Sequence, residues 1–157
     1  MRAKICSALA ALALTAGPAF GDAAWTSNLG PVVYDVDAGD AVVLMHFTRG
    51  SGAERRTFVR GLAGNLGHRG NYSGYWVEAD HGPTTTPACD VAILDAEGNA
   101  TFHWGRVEFQ VTNSDLPSAW DAQIGTCFET PTTGWSGRDN GDFDYDAFER
   151  RRNGSPK

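Results

Sequence analysis

The sequence predicts an all-β fold, a single antiparallel β-sandwich or small barrel of about seven or eight short strands, with room for one short C-terminal helix. Two observations predict this class. Short apolar or alternating runs recur at close spacing, and clusters of Gly, Pro, Asn and Asp separate them. The chain shows no internal repeat at a fixed period. The pattern therefore favours short strands joined by tight turns.

Residues 1–21 are predicted to be a secretory signal peptide that is removed on export. Arg2 and Lys4 precede the apolar run ICSALAALALTA, and small residues follow it up to a cleavage site near Gly21. The run covers residues 5–16, which is shorter than the ~20 residues that a membrane-spanning helix needs. We therefore expect a periplasmic or secreted protein without a membrane span; a buried N-terminal helix is the alternative.

The remaining chain is expected to divide into a disulfide-linked β domain at 22–137 and a C-terminal tail at 138–157, acidic first and then basic. The formal net charge of the full chain is −6, and removal of the basic N-terminal residues makes the rest more acidic. An acidic protein is poorly suited to neutralise nucleic-acid phosphates or to bind an anionic membrane surface. The charge balance thus argues against both classes of partner.

The first predicted strands follow from apolar alternation and from one continuous apolar run. Alternation over residues 32–36 indicates a half-buried strand, and AVVLMHF at 41–47 is typical of a central strand. After GSGA, the segment ERRTFVRG at 54–61 allows two interpretations. A strand returning from a hairpin is favoured because its Thr, Phe and Val residues prefer strands, and a helix capped by Ser51 is the alternative.

Later segments continue the pattern of short strands and polar turns. NLGHRGNYSG at 65–74 and HGPTTTP at 81–87 are predicted loops, since their Gly and Pro residues interrupt regular structure. Strands are predicted at 75–80, 88–94, 101–111 and 120–127, with the turn DAEGN between the second and the third. The segment PTTGWSG closes the domain near Gly137.

The tail contains a predicted short helix from Asp144 to Arg152. Acidic residues at its start and arginines at its end suit the helix dipole, and Asn153-Gly154 can end it. A helix of this length is marginal by itself, so either a docked or a disordered tail is expected. A calcium loop that began at residue 142 would require Gly at its sixth position and Glu at its twelfth, and the sequence has neither. No metal site is therefore predicted for the acidic residues at 142–146.

Cys89 and Cys127 remain after signal-peptide removal and predict a disulfide, because paired cysteines in an exported protein are normally oxidised. A free thiol pair is the alternative, and a zinc site would need four closely spaced ligands. Counting register through the flanking turns brings both cysteines towards Gly105. Two strands that flank a third lie about 9.5 Å apart, too far for a disulfide, so at least one cysteine must leave its strand.

The stretch TFHWGRVEFQV at 101–111 changes face part-way along. Its first apolar residues, Phe102 and Trp104, occupy even positions, whereas the later ones, from Val107 onwards, occupy odd positions. A β-bulge at Gly105 would turn all of them towards the core. The missing side chain at Gly105 would also let the disulfide cross above it.

Aromatic residues give the best indication of a binding surface. The predicted surface combines Tyr75, Trp76, Glu78, Trp104 and Arg106. Exposed rings on strands offer flat faces for sugars or anchors for a protein partner, and filling the core is the alternative role for such rings. We therefore expect a binding module for a glycan, an envelope component or a protein partner, and inhibition of a partner protein is one form that such binding would take. We expect no cofactor.

A small secreted hydrolase or lyase using His81, His103, Arg106 and Glu108 is the second functional hypothesis, and a structural envelope protein is the third. Histidine is the most common general base. However, the four histidines show no metal-ligand spacing, and no nucleophile motif accompanies them. His46 lies in the predicted central strand and is expected to be buried or half-buried, with its hydrogen bonds satisfied. The residues thus favour binding over catalysis and predict no metal site.

Overall fold

In the part of the chain that the structure describes, eight antiparallel strands close into a barrel, a two-stranded hairpin lies outside it, and one short helix follows the last strand. The structure is a computed structural model that describes residues 23–48, 52–63, 69–78, 83–95, 98–111 and 118–153. The barrel strands are β1 (Ala24–Ser27), β2 (Gly30–Ala38), β3 (Ala41–Phe47), β4 (Glu54–Arg60), β5 (Gly70–Glu78), β8 (Trp104–Val111), β9 (Ala119–Ile124) and β10 (Thr133–Asp139). The hairpin comprises β6 (Ile93–Leu94) and β7 (Ala100–Thr101), and helix α1 is Tyr145–Arg152. The all-β antiparallel class predicted from the sequence is confirmed.

The barrel strands pair in chain order, and β1 pairs with both β2 and β10 to close the ring. β5 pairs directly with β8. The segment between these two strands, here called the arm, contains the β6–β7 hairpin and passes over the outer wall. Full closure removes the exposed edges that an open sheet would present.

Apolar side chains fill the barrel interior. Alternation along β3 turns Val42 and Leu44 inward, where they meet the rings of Trp25, Phe109, Trp120 and Trp135. Trp120 contacts Trp135 edge-to-face, with ring centroids 4.6 Å apart. Eight strands enclose a space just wide enough for side chains to fill. Filling the core, the alternative role considered for the aromatic residues, is therefore the role of Trp25, Trp120 and Trp135.

The outer wall is covered in two places, which explains why β3 is buried along its whole length. The arm contributes Cys89 to one apolar cluster with Val43 and Trp104. Helix α1 contributes Phe148 to another cluster with Met45. A strand buried on both faces has a continuous apolar sequence, so the central strand predicted at 41–47 is confirmed.

Helix α1 confirms the helix predicted in the tail, and it docks on the barrel. The Asp144 side chain caps its first turn. Phe148 is buried and lies 5.0 Å from Phe47, measured between ring centroids, and Arg152 pairs with Asp35 at 3.4 Å. Packing rather than propensity stabilises so short a helix. Among the described residues, no helix combines the length and apolar character that crossing a membrane requires.

Several predicted boundaries differ from the structure. The ambiguous segment at 54–60 is a strand, since β4 pairs with both β3 and β5. The predicted loop at 65–74 is wrong at its end because β5 begins at Gly70, where pairing with β8 starts. The predicted strand at 88–94 is also wrong except for Ile93–Leu94, since this segment belongs to the arm and lies across the barrel rather than in its ladder. Strands β1 and β10 have no counterpart among the predicted strands.

The predicted β-bulge at Gly105 is wrong. The β5–β8 ladder keeps one register along its whole length. Trp104 therefore points outward into the cluster beneath the arm, whereas Val107 points into the barrel. Phe102, which precedes β8 and was expected in the core, is 49% exposed. The apolar residues change parity because the two faces of β8 are buried at different points along the strand: the outer face beneath the arm at Trp104, and the inner face in the barrel from Val107 onwards. The strand does not gain an extra residue.

The disulfide between Cys89 and Cys127 is formed, with its Cα atoms 5.6 Å apart. The prediction that at least one cysteine leaves its strand is confirmed, and in fact neither lies in a strand. The N–H of Cys89 donates to Phe102 O, and that of Cys127 donates to Trp104 O. The bridge joins the arm to the β9–β10 loop on the outer wall. It does not cross above Gly105, because the side of Gly105 that lacks a side chain faces the interior and is filled by the Trp76 indole.

Candidate functional site

An open groove of about 410 Å³ lies on the outer wall between the arm and the β9–β10 loop. Its lining residues are Tyr75, Ile93, Leu94, Trp104, Arg106 and Phe128, and we call it the outer-wall groove. Its volume is typical of a site that accepts a small ligand or an anchoring side chain. The structure thus brings together Tyr75, Trp104 and Arg106 from the binding surface predicted from the sequence.

Strands β5 and β8 form the floor of the outer-wall groove. Tyr75 lies opposite Arg106 in their ladder, and Trp104 precedes Arg106 by two residues on the same wall, as strand alternation requires. The Tyr75 ring stacks on Phe58 with centroids 4.9 Å apart. The indole N–H of Trp104 donates to Val91 O of the arm at 2.8 Å. This bond satisfies the polar atom of a largely buried indole and fixes the ring.

The walls of the groove come from two segments that the disulfide joins. The arm supplies Ile93 and Leu94, and the β9–β10 loop supplies Phe128, the residue after Cys127. Leu94 is 65% exposed and Phe128 is 67% exposed. Phe128 leans edge-on against Trp104, with centroids 4.9 Å apart. Sequence reasoning missed these wall residues, although an aromatic residue directly after a disulfide cysteine was an available signal for Phe128.

Arg106 provides the charge at the rim of the groove. Its Nη2 lies 4.0 Å from Glu108 Oε1, and both side chains are about half exposed. Exposed ion pairs of this kind are weak, so Arg106 can exchange Glu108 for a ligand carboxylate at little cost. Among the lining residues, Arg106 alone carries a charge. The groove is therefore apolar with one cationic group at its edge.

The structure does not bring Trp76 and Glu78 to this groove. They alternate with Tyr75 and point into the barrel, where each is 2% exposed. The Trp76 indole N–H donates to Gly125 O at 3.0 Å, and the Arg55 guanidinium lies 4.3 Å from the indole centroid. The residues of the predicted surface are thus divided between the outer and inner sides of one barrel wall.

Glu78 holds the arm against the barrel. Its carboxylate accepts hydrogen bonds from Arg55 Nη2 and from the Thr85 N–H, each at 2.8 Å. Burial raises the pKa of the Glu78 carboxyl, but hydrogen bonds from Thr85 and Arg55 outweigh burial and hold this pKa below its ordinary value. The charged carboxylate therefore fastens the arm through charge-assisted hydrogen bonds.

His46 lies inside the barrel and is buried, as predicted, but the expectation that its ring nitrogens would be hydrogen-bonded is wrong. Its ring packs against Trp135 with centroids 5.1 Å apart. In the described part of the chain, neither ring nitrogen of His46 has a hydrogen-bond partner. Burial, followed by repulsion from Arg55, lowers the pKa of His46 to about 3 despite attraction from Glu78. The imidazole is therefore neutral at neutral pH and acts as a core side chain.

The structure places only some residues of the hydrolase hypothesis. His103 Nδ1 lies 2.9 Å from Thr86 O, while Arg106 and Glu108 lie on the outer wall of β8. His81 falls outside the described residues. Within the described ranges, no group of three or more His, Cys, Asp or Glu side chains is arranged to hold a metal ion.

No protein-family model matches the chain, and neither a curated protein nor a solved structure matches it. A barrel fold by itself does not indicate a function. The function has to be inferred from the groove and its chemistry.

Proposed function

We propose that this protein is an exported binding module that holds an extended apolar segment of a partner protein in the outer-wall groove. The observation that carries this function is the exposure of Leu94 and Phe128, at 65% and 67%, around a groove with an aromatic floor. Single exposed apolar side chains are ordinary on a protein surface. Several around one concave surface are typical of an interaction site.

The edge of β6 supports a peptide as the ligand. Among the described strands, β6 pairs only with β7, and the N–H of Asp95 donates to Asn99 O. Hydrogen-bonded pairs alternate along an antiparallel ladder, so the N–H and C=O of Leu94 point away from β7. An extended peptide can pair with such an edge through its main chain while its side chains enter adjacent pockets.

The chemistry of the groove favours a protein segment over a glycan at this position. Its walls are aliphatic or aromatic, and the indole N–H of Trp104 already donates to Val91 O. Sugar hydroxyls buried against such walls would lose hydrogen bonds to water without replacing them, which is costly. An apolar segment would bury no hydroxyl groups there, and an acidic residue beside Arg106 would replace Glu108 as its ion-pair partner.

The disulfide supports an exported location. Disulfides persist in oxidising compartments such as the periplasm and the cell exterior. Together with the signal-peptide pattern of residues 1–21, the Cys89–Cys127 bridge supports a periplasmic or secreted protein. The bridge also fixes the groove, because it joins the arm that carries Leu94 to the loop that carries Phe128.

Selection of short random peptides, displayed on phage, against the mature protein tests this function. We expect enriched peptides that alternate apolar residues, and calorimetry should show that Phe128→Asp and Leu94→Asp each weaken their binding by about tenfold or more. Phe102→Asp is the matched control, because Phe102 is an exposed phenylalanine that does not line the groove. Binding to Phe102→Asp should equal binding to the unsubstituted protein.

Two results would contradict the proposed function. One is a selection that enriches no peptide. The other is a set of enriched peptides that bind Phe128→Asp and Leu94→Asp as tightly as the unsubstituted protein. Thermal unfolding of each variant verifies the fold, which exposed positions such as these are expected to preserve.

A further inference from the structure

A second groove, of about 700 Å³, crosses the outer wall of β5, β8, β9 and β10. It shares no lining residue with the outer-wall groove. Its lining combines polar and apolar atoms, and the polar side chains on it are Asn71, Glu108, Gln110, Asp121, Gln123 and Ser136. We call it the polar groove.

Strand register arranges these side chains in two rows. One row contains Asn71, Gln110, Asp121 and Ser136 on four successive strands, and the next contains Glu108, Gln123 and Gly134. Neighbouring strands lie about 4.8 Å apart, so a row across four strands spans about 14 Å. That length suits a ligand made of several linked units rather than a single small group.

Both carboxylates of the polar groove already have a cationic partner. Asp121 Oδ1 lies 3.3 Å from Arg138 Nη2, and Glu108 Oε1 lies 4.0 Å from Arg106 Nη2. These guanidinium groups balance the charge of the groove. Neither a polyanion nor a polycation therefore meets the excess of opposite charge that would attract it. A neutral ligand is the electrostatic match.

The carboxamides of Asn71, Gln110 and Gln123 each offer both donors and acceptors, and the Ser136 hydroxyl does the same. All three carboxamide side chains belong to exposed residues, so a ligand can reach them. Hydroxyl groups on a ligand are also donors and acceptors. A polyhydroxyl chain can therefore bond along the rows, whereas an apolar ligand would leave these groups unpaired.

The groove is open at Gly134, and hydrogen bonds with Asn28 hold the adjoining part of β10. A Cβ at Gly134 would have no atom within 4 Å. Asn28, in the β1–β2 turn, donates from Nδ2 to Gly134 O at 2.9 Å and accepts at Oδ1 from Ser136 N at 3.0 Å. These bonds fix β10 before any ligand arrives, which lowers the entropic cost of binding.

We propose that the polar groove binds a neutral oligosaccharide through hydrogen bonds between its amide side chains and the ligand hydroxyls. This site does not depend on peptide binding at the outer-wall groove, because its residues and its ligand chemistry are different. The ion pair of Arg106 and Glu108 separates the two grooves, since Arg106 lines one and Glu108 lines the other.

Calorimetric titration of the mature protein with soluble oligosaccharides of glucose, mannose and N-acetylglucosamine tests this site. Polygalacturonate serves as the anionic comparison and polylysine as the cationic one. We expect a neutral oligosaccharide to bind and the charged polymers not to bind. Gly134→Leu should abolish that binding, because its side chain would occupy the open groove. Gly141→Leu is the matched control, since a Cβ there also has no atom within 4 Å and Gly141 does not line the groove.

Gln110→Ala and Gln123→Ala provide a second test that removes hydrogen bonds without filling space. Each should weaken oligosaccharide binding by about fivefold, the effect of one lost hydrogen bond. Failure of every neutral oligosaccharide to bind, tighter binding of a charged polymer, or binding that survives Gly134→Leu would each overturn the site. Peptide selection at the outer-wall groove would be unaffected by any of these results, so the two sites can fail separately.

Discussion

The indole of Trp76 occupies the space that a side chain at Gly105 would need, since a Cβ on Gly105 would lie 2.6 Å from two atoms of that ring. The two residues are opposite each other in the β5–β8 ladder and face the barrel interior. The carbonyl oxygen of Gly125 would be closer still, at 1.9 Å, and it accepts the Trp76 N–H. The glycine near the start of β8 is therefore required by packing against Trp76 and Gly125.

Gly105→Ala should destabilise the protein by about 1–3 kcal/mol or more, the usual cost of overpacking a core. Neither the indole nor the Gly125 carbonyl can move aside without breaking the hydrogen bond between them. Urea unfolding measures the change. Gly134→Ala is the control on β10, where open space surrounds the new methyl group and stability should change by less than about 0.5 kcal/mol. Equal stability of the two variants would show that Trp76 does not pack on Gly105.

Several parts of the fold could be predicted because local pattern determines them. The continuous apolar run of β3 reflects burial on both faces. The position of helix α1 follows from the cap at Asp144 and the arginines of its last turn. The disulfide follows from the two cysteines that remain once the predicted signal peptide is set aside. None of these three features needs knowledge of how distant strands pack.

The candidate site was harder to predict, because alternation separates two faces without saying which one is inside. Trp76 and Glu78 share one face of β5 and Tyr75 lies on the other, as the pattern indicates. The inward face nevertheless carries the charge of Glu78, whereas a charged residue normally suggests the outward face. The arm adds to this difficulty. It covers Trp104 from outside, so an outward residue has a core-like neighbourhood. Only the tertiary position of the arm explains the shift that resembled a bulge.

Acid should weaken the fold through His46. The pKa of His46 is about 3 in the folded protein and 6.5 for the unconstrained side chain. Between these two pH values the unfolded chain binds a proton at His46 that the folded chain does not. Stability is therefore complete above pH 6.5 and falls towards pH 3 by up to ~1.4 kcal/mol per pH unit. Urea unfolding should show a loss of about 2 kcal/mol between pH 7 and pH 5 from this residue.

His46→Gln, which cannot take up a proton, should remove this part of the pH dependence. Glu78 contributes only at lower pH: its folded pKa lies below the ordinary 4.5, so its contribution is present above that value and is lost as pH falls further. Between pH 4.5 and pH 6.5, the ordinary pKa values of the Glu78 and His46 side chains, the stability change therefore comes from His46 rather than from Glu78. A variant that loses as much stability as the unsubstituted protein between pH 7 and pH 5 would show that His46 does not resist protonation in the folded state.

Loss of the disulfide should open the outer-wall groove while leaving the barrel folded. Removing a crosslink between residues 38 apart should cost about 3–4 kcal/mol on the chain-entropy estimate. A double variant, Cys89→Ser with Cys127→Ser, should keep its strand content by circular dichroism but lose selected peptides, because Leu94 and Phe128 are no longer held together. Oligosaccharide binding at the polar groove should persist, since none of its lining residues lies on the arm. Peptide binding that persists in the double variant would show that the bridge does not position the walls.

Phe148 and Phe128 allow the stability effect of a buried phenylalanine to be compared with that of an exposed one. Phe148 is 6% exposed and contacts Phe47 and Phe143, whereas Phe128 is 67% exposed. Phe148→Ala should cost about 3 kcal/mol in urea unfolding and release helix α1, while Phe128→Ala should cost less than about 0.5 kcal/mol. Trypsin gives the local measurement, because its targets Arg150, Arg151 and Arg152 lie in the helix and cleavage requires that the helix open. Rapid cleavage at these arginines in Phe148→Ala alone is the expected result. Equal cleavage rates in the two variants would mean that Phe148 does not hold the helix on the barrel.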